Sequence, residues 1–260
     1  MNNKIKDSWN QTSDDYYKQR ISERVLDIIE KDPSRAFPNK VYSIIHNCFP
    51  DLRGKRVCVP SSGDNIAVFG FYLLGAKVTS ADISERQIYN AQYIAMQKGW
   101  DIEFVCEDSM DFGQIKSSEY DFVYTSNGVH VWISDVLRMY RNFHRVLHDG
   151  GFYIMFETHP FIRPFDDSQP DITAKKPYEE IGPFDNVPNY GWRVQDIFNA
   201  AIDANFTIRH MEEFHPDIGD LESWWYKTLE EGEADNHRKF DWKQNPWAVL
   251  PQWISFCATK

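Results

Sequence analysis

The pattern of apolar and polar positions is clearest from Arg56 to Ser84, RVCVPSSGDNIAVFGFYLLGAKVTSADIS. Val57-Cys58-Val59 is a short β-rich apolar run, as in a strand buried on both faces of a parallel sheet. Pro60-Ser61-Ser62-Gly63-Asp64-Asn65 is turn chemistry, and its glycine lets the backbone pass close to a ligand. Ile66 to Leu74 is apolar nearly all round, as a helix packed on a sheet would be, and Gly75 stops it. Lys77 to Ala81 predicts a second strand with Asp82 at its carboxyl end. In an open α/β sheet ligands bind at that end, and a carboxylate there can accept two hydrogen bonds from a ribose diol.

Upstream, Trp9, Tyr16, Tyr17, Ile21, Val25, Ile28 and Ile29 give a roughly helical pattern from Ser13 onward, and residues 40–49 read as a further helix. Residues 1–50 therefore form either a helical layer on the sheet or a cover over its ligand. Downstream, Ser84-Glu85-Arg86-Gln87 is a capping box opening a helix with Ile88, Ala91 and Ala95 inward and Gly99 at its end. Strands are predicted over 102–106, 120–127, 152–156, 206–212 and 252–258. Helices are predicted after a Ser134 cap, with Leu137, Tyr140, Phe143 (or His144) and Leu147 on one face, and over 193–204. The pattern breaks over 160–192, where Pro160, Pro164, Pro170, Pro177, Pro183 and Pro188 fall; a long irregular segment in a domain this size is usually functional. Trp224, Trp225, Trp242 and Trp247 mark a second irregular stretch.

At 260 residues the chain fits one domain with a sizeable core. Its 28 basic and 39 acidic residues leave a formal charge of -11, which disfavours nucleic acid or an anionic membrane as the main partner. The first residues are polar and charged and no apolar run is long enough to span a bilayer, so the expected location is the cytoplasm. Cys48, Cys58, Cys106 and Cys257 show no metal-ligand spacing, and no metal site is expected; Cys58 and Cys106, inside apolar strand patterns, read as buried free thiols. Aromatics at 15%, with nine tryptophans, exceed the needs of an ordinary core and point to an aromatic-lined pocket.

The stretch around Gly63 resembles the cofactor-binding start of the class I S-adenosylmethionine-dependent methyltransferases, whose usual motif is two hydrophobics followed by Asp-x-Gly-x-Gly-x-Gly. Here Val59 stands for the acid, Ser61 for the first glycine and Asn65 for the last, while Gly63 is kept. The order of the following pieces strengthens the likeness: Asp82, then a strand ending on Glu107-Asp108-Ser109-Met110, then FHRVLHDGGFYIMF in place of the family's hydrophobic, Lys-Pro-Gly-Gly, strand segment. Two closing strands match the family's antiparallel sixth and seventh. The resemblance implies a doubly wound, Rossmann-like α/β/α sandwich on a seven-stranded sheet, parallel with an antiparallel last strand. It covers about Val57 to Thr158 closely.

Carried onto these positions, the resemblance implies S-adenosylmethionine as cofactor. Pro60, Ser61, Ser62, Gly63 and Asn65 form the turn; Asp82 is the ribose acid, with Ile83 and Gln87 as further cofactor contacts; Asp108, Ser109 and Met110 meet the adenine. Ser126 and Asn127 are candidates to donate to the methionine carboxylate or to the acceptor, and Trp9 and Tyr17 for an aromatic cover over the cofactor. Residues 1–50 would be that cover, 51–159 the cofactor core, 160–192 an insertion over the acceptor and 193–260 a closing helix and strands. His130 and His159, just past the fourth and fifth strands, are candidate bases, although methyl transfer needs alignment more than a base.

Two rivals remain at this point. In a nicotinamide-dependent oxidoreductase the fingerprint glycines would fall on Ser61, Gly63 and Ile66, and only one is present. A non-catalytic S-adenosylmethionine-binding protein would share every feature above except turnover. The place of the Asn/Asp-Pro-Pro-Tyr/Phe motif of DNA- and amino-methylating members reads Ser126-Asn127-Gly128-Val129, so that chemistry lacks support. The proline-rich insertion and aromatic C-terminal third point to a closed pocket for a small molecule, with a protein acceptor as the alternative. The acceptor's identity and the oligomeric state stay open.

Overall fold

A computed structural model describes residues 2–63, 65–217, 219–221, 229–234 and 238–260. Its centre is a seven-stranded sheet in the order β3-β2-β1-β4-β5-β7-β6. The strands are β1 (Arg56–Pro60), β2 (Lys77–Asp82), β3 (Glu103–Cys106), β4 (Tyr120–Thr125), β5 (Leu147–Thr158), β6 (Thr207–Phe214) and β7 (Trp253–Thr259). β1 to β5 pair in parallel, and β7 runs antiparallel to both β5 and β6. β6 therefore points the same way as the first five strands, and only β7 is reversed.

The side-chain alternation of the strands builds two cores. Val57, Val59, Ile154, Phe156 and Trp253 face a layer made by α2 (Glu23–Lys31), α3 (Asn39–Cys48), α4 (Ile66–Leu73) and α5 (Glu85–Lys98). Cys58, Tyr153, Met155, Ile254 and Phe256 face the opposite layer, made by α6 (Val136–Val146) and α7 (Val194–Asp203). The central strands are apolar on both faces because both faces are covered.

Several sequence expectations shift in register. The first helix, α1, runs over Asn2–Arg20, not from Ser13 onward, and the chain breaks at Ser22, whose hydroxyl accepts from the Val25 amide to cap α2. Asp135 caps α6 in place of Ser134, accepting from the Arg138 amide at 2.9 Å. The inward face of α6 is accordingly Val136, Met139, Tyr140, Phe143 and Val146, with Leu137 only half-buried. Cys58 is buried as expected, but Cys106 ends an edge strand and is exposed. Trp242 is exposed and Trp247 buried, while Trp224 and Trp225 lie outside the described residues. No helix among the described residues is long and apolar enough to cross a membrane.

Candidate active site

A cavity of about 340 Å³ opens at the carboxyl ends of β1, β2, β4 and β5, a size typical of small-molecule sites. Its floor is the turn between β1 and α4. Ser61 sits at φ +48° and Gly63 at φ +54°, both in the left-handed region. Glycine reaches that region freely and serine does so under strain, so Ser61 keeps the shape of a glycine turn without the glycine. Its hydroxyl lies 2.7 Å from that of Ser109, and Ser62 Oγ lies 2.7 Å from Ser80 Oγ. Asn65 caps α4 by accepting from the Ala67 amide at 2.8 Å, and its amide nitrogen donates to Ser126 Oγ.

Asp82 ends β2 beside this turn. Its two carboxylate oxygens accept the amides of Gly63 (2.9 Å) and Ser84 (2.8 Å). Burial pushes its carboxyl up to about 6 despite those bonds, with the nearby Asp108 adding to the rise. The capping box forms only in half as a result: Ser84 Oγ accepts from the Gln87 amide, but the Ser84 amide goes to Asp82. The Gln87 side chain is thereby free to reach toward Gly63, where its oxygen occupies the space an added Cβ would take. Each Asp82 oxygen keeps a lone pair for a further donor.

The roof is α1, which is stitched to α5. Asn10 Nδ2 donates to Glu85 at 3.0 Å, Ser84 Oγ donates to Asn10 at 2.6 Å, and Arg86 holds Asp14 with a fork at 2.6 and 2.8 Å. This docking turns Ile5, Trp9, Tyr16 and Arg20 toward the cavity. Trp9 packs edge-on against both Tyr16 and Trp132, each pair of ring centres being 5.6 Å apart.

The cavity brings together Trp9, Ser61, Ser62, Gly63, Asn65, Asp82, Ile83, Gln87, Asp108, Ser109, Met110, Ser126 and Asn127, all expected as cofactor contacts. Four expected residues stand elsewhere. Pro60 ends β1 below the floor, and Tyr17, one residue out of phase with Tyr16 on α1, packs on the core of the α2–α5 layer. Neither candidate histidine borders the cavity. His130 is buried, its Nδ1 3.0 Å from Glu157 Oε2 and its Nε2 2.6 Å from the Tyr140 hydroxyl. His159 is fully buried, with Nδ1 accepting from the Phe161 amide and Nε2 2.7 Å from Glu213. Burial lowers its pKa, so its ring is held neutral near pH 7.

Glu157 explains why His130 sits where it does. Burial alone would raise its carboxyl, yet bonds from His130 hold it below the usual value. Besides the imidazole it accepts the amides of Gly128 (2.7 Å), His130 (2.9 Å) and Thr158 (2.8 Å). Since an ionised carboxylate only accepts, His130 Nδ1 donates to it. The group is a brace that shapes the loop after β4, from which Gly128, Val129, Val131, Trp132 and Ile133 border the cavity.

Tyr16, Arg20, Trp132, Arg163 and the branched residues Ile21 and Val25 also border the cavity and were not among the expected contacts. A signal existed for one set: Ile5, Trp9, Tyr16 and Arg20 are spaced 4, 7 and 4 residues apart, one stripe of a helix running back to Asn2. Arg163 had none, because it lies in the irregular segment after β5. Among the described residues no group of three or more His, Cys, Asp or Glu could hold a metal ion.

These residues fit a purine nucleoside with a cationic tail: a buried acid open to two hydroxyls, a turn whose backbone approaches closely, and tryptophan faces for a cation. Comparisons with known proteins agree. Residues 61–155 match the family described as a methyltransferase domain. The uncharacterized methyltransferase YbaJ of Bacillus subtilis (strain 168) is 24% identical over 176 residues, 62% of this chain and 69% of that protein. An S-adenosylmethionine dependent methyltransferase from Mesorhizobium loti superposes with TM-score 0.62 at 19% identity, covering 84% of this chain and 97% of that one. Magnesium protoporphyrin IX methyltransferase from Synechocystis PCC 6803, with bound SAH, superposes with TM-score 0.60 at 17% identity over 98% of this chain and 97% of its own. The motif order and these matches together identify a methyltransferase domain over residues 61–155, and the sheet topology and superpositions give the chain the fold of the S-adenosylmethionine-dependent methyltransferases.

Proposed function

We propose that this methyltransferase acts on a small molecule, held in the part of the cavity between Trp132 and the segment after β5. The observation that carries the reading is the cover: α1 and the loop after β4 meet over the site through Trp9 and Trp132, leaving about 340 Å³ beneath. Such a roof suits a ligand that is enclosed more than a polymer that lies across a surface, and the net charge of -11 argues the same way against nucleic acid.

In this reading Asp82 accepts the ribose hydroxyls, while Asp108, Ser109 and Met110 border the adenine. Trp9 and Trp132 present ring faces and edges to the cationic centre, and Asn127 and Thr158, themselves joined at 2.5 Å, offer polar atoms at the far end. When bound, S-adenosylmethionine supplies an electrophilic methyl group on a sulfonium. The protein's part is to hold the acceptor atom in line with that methyl and to exclude water. Among the described residues no imidazole borders the cavity, and in this reading the acceptor's proton leaves without a histidine base. Residues 1–50 serve as the cover, 51–159 as the cofactor core, 160–192 as an insertion beside the acceptor and 193–260 as the closing helix and strands, all in one cytoplasmic domain.

Calorimetric titration with S-adenosylmethionine, S-adenosylhomocysteine and NAD tests the site. Binding of the first two and not of NAD is expected, and binding of NAD alone would overturn the reading. Methyl turnover on a small-molecule panel then separates an enzyme from a binding protein.

A further inference from the structure

Two guanidinium groups border the cavity, those of Arg20 on α1 and Arg163 just after β5. Among the described residues neither has a hydrogen-bond or carboxylate partner for its side chain; Arg20 stands 5.3 Å over the Tyr16 ring. The chain does not lack acids, and several other arginines use them, Arg53 with Asp51, Arg56 with Glu119, Arg86 with Asp14 and Arg193 with Asp196, while Arg35, Arg145 and Arg209 bond carbonyl or hydroxyl oxygens. Arg163 feels the buried Glu157 carboxylate through space, with no hydrogen bond to it. A guanidinium stays charged in any protein environment, so two with no bonded acid at a cavity are open to anions from the ligands.

The charges are also sorted along the sheet. The acids at the cavity, Asp82 and Asp108, belong to β2 and the loop after β3, whereas Arg163 follows β5. β1 and β4 lie between, so about 14 Å of sheet separates the β2 and β5 ends. S-adenosylmethionine brings one carboxylate. Arg20 shares α1 with Trp9 and Tyr16, above the ribose acid, and is the natural match for it. Arg163 is then left over at a cavity that the apolar Val131, Trp132 and Ile133 also border.

We infer that the methyl acceptor is an apolar molecule bearing a carboxylate, and that Arg163 is the residue that binds this carboxylate and so sets specificity. A carboxylate suits the site better than a phosphate, because among the described residues no lysine borders the cavity to share a second negative charge. This inference rests on the small-molecule reading above.

The test uses the full-length protein saturated with S-adenosylhomocysteine, titrated calorimetrically with benzoate, indole-3-acetate and octanoate, each beside its primary amide, and with phenyl phosphate. At least one acid is expected to bind about tenfold or more tighter than its amide. Arg163→Met should bring that ratio to about one while S-adenosylhomocysteine affinity stays within about twofold, Arg163→Lys should keep part of it, and Arg20→Met should instead weaken S-adenosylhomocysteine. Acid and amide alike in the wild type, including no binding of either, would overturn the inference. So would an undiminished ratio in a folded Arg163→Met protein, or phenyl phosphate binding tighter than every acid. Failure of S-adenosylhomocysteine itself to bind would count against the cofactor site and not against Arg163.

Discussion

Ser61 Oγ and Ser109 Oγ stand 2.7 Å apart, joining the turn after β1 to the loop after β3 across the floor of the cavity. The pair shows how the chain departs from the glycine pattern of the methyltransferases it resembles yet keeps the turn. Ser61 holds a left-handed backbone that glycine would hold without strain, and the hydroxyl bond offsets part of that strain.

Ser61→Gly should therefore change stability by less than about 1 kcal/mol, since relief of strain balances the lost bond and the gain in unfolded-chain entropy. Ser61→Val should cost about 2–4 kcal/mol, because a β-branched residue at positive φ is strained and the bond is lost as well. Urea denaturation of both variants checks the contrast. Equal losses would mean that the backbone conformation is not what matters at this position.

Gly63 poses the opposite case. Its Cβ position is taken by the Gln87 side-chain oxygen, and its own φ is +54°. Gly63→Ala should displace Gln87 into the cavity and weaken S-adenosylhomocysteine binding by about tenfold or more. Titration calorimetry reads this directly. Gly63→Ala combined with Gln87→Ala should recover part of the loss.

Asp82 gives a pH signature. Its carboxyl is pushed up to about 6 from the ordinary 3.8, so the neutral acid is favoured in the fold. Ribose hydroxyls donate to the ionised form. Cofactor affinity should thus be full above pH 6 and fall as pH drops through that value, because binding must then expel a proton. For folding the sign is reversed: the contribution of this group is greatest below pH 3.8 and is lost as pH rises through about 6. Asp82→Asn should lower affinity at pH 7.5 by about 30-fold or more and flatten its dependence between pH 5 and 7, as measured by calorimetry across that range.

Glu157 and His130 should behave as a brace. Glu157→Gln turns a donor toward groups that already donate, and breaking such a buried pair costs about 3–5 kcal/mol. That corresponds to a melting temperature lower by roughly 6–20 °C for a chain of this size. His130→Ala should likewise lower the melting temperature. Turnover lost at an unchanged melting temperature would instead place the imidazole in the reaction.

The strand-turn-helix-strand from Arg56 to Ser84 was legible because each element there is marked by its own short-range pattern: an apolar run, a glycine turn, an apolar helix and an acid at a strand end. Asp82, Asp108 and the turn residues could be placed from that pattern, since the carboxyl ends of parallel strands all open on one side of the sheet. The two histidines misled for the same reason. Their position past β4 and β5 put them at the correct end, but nothing local says whether a side chain there turns inward, and Glu157 and Glu213 draw the imidazoles away from the cavity.

By itself, then, the sequence determined the α/β class, the order of the strands along the chain and most of the residues that gather on the floor of the cavity, because burial patterns of period two and 3.6 are properties of contiguous residues. Only the tertiary structure decided which further side chains border the cavity. The phase of α1, which faces Tyr16 inward and Tyr17 to the core, is set by Asn10, Asp14 and Ser13 gripping α5, some 75 residues away. The same holds for Arg163, which meets Arg20 and Trp132 at one cavity only because β5 lies beside β4 and α1 closes over both. Contacts made across such distances in the chain leave no periodic trace in it.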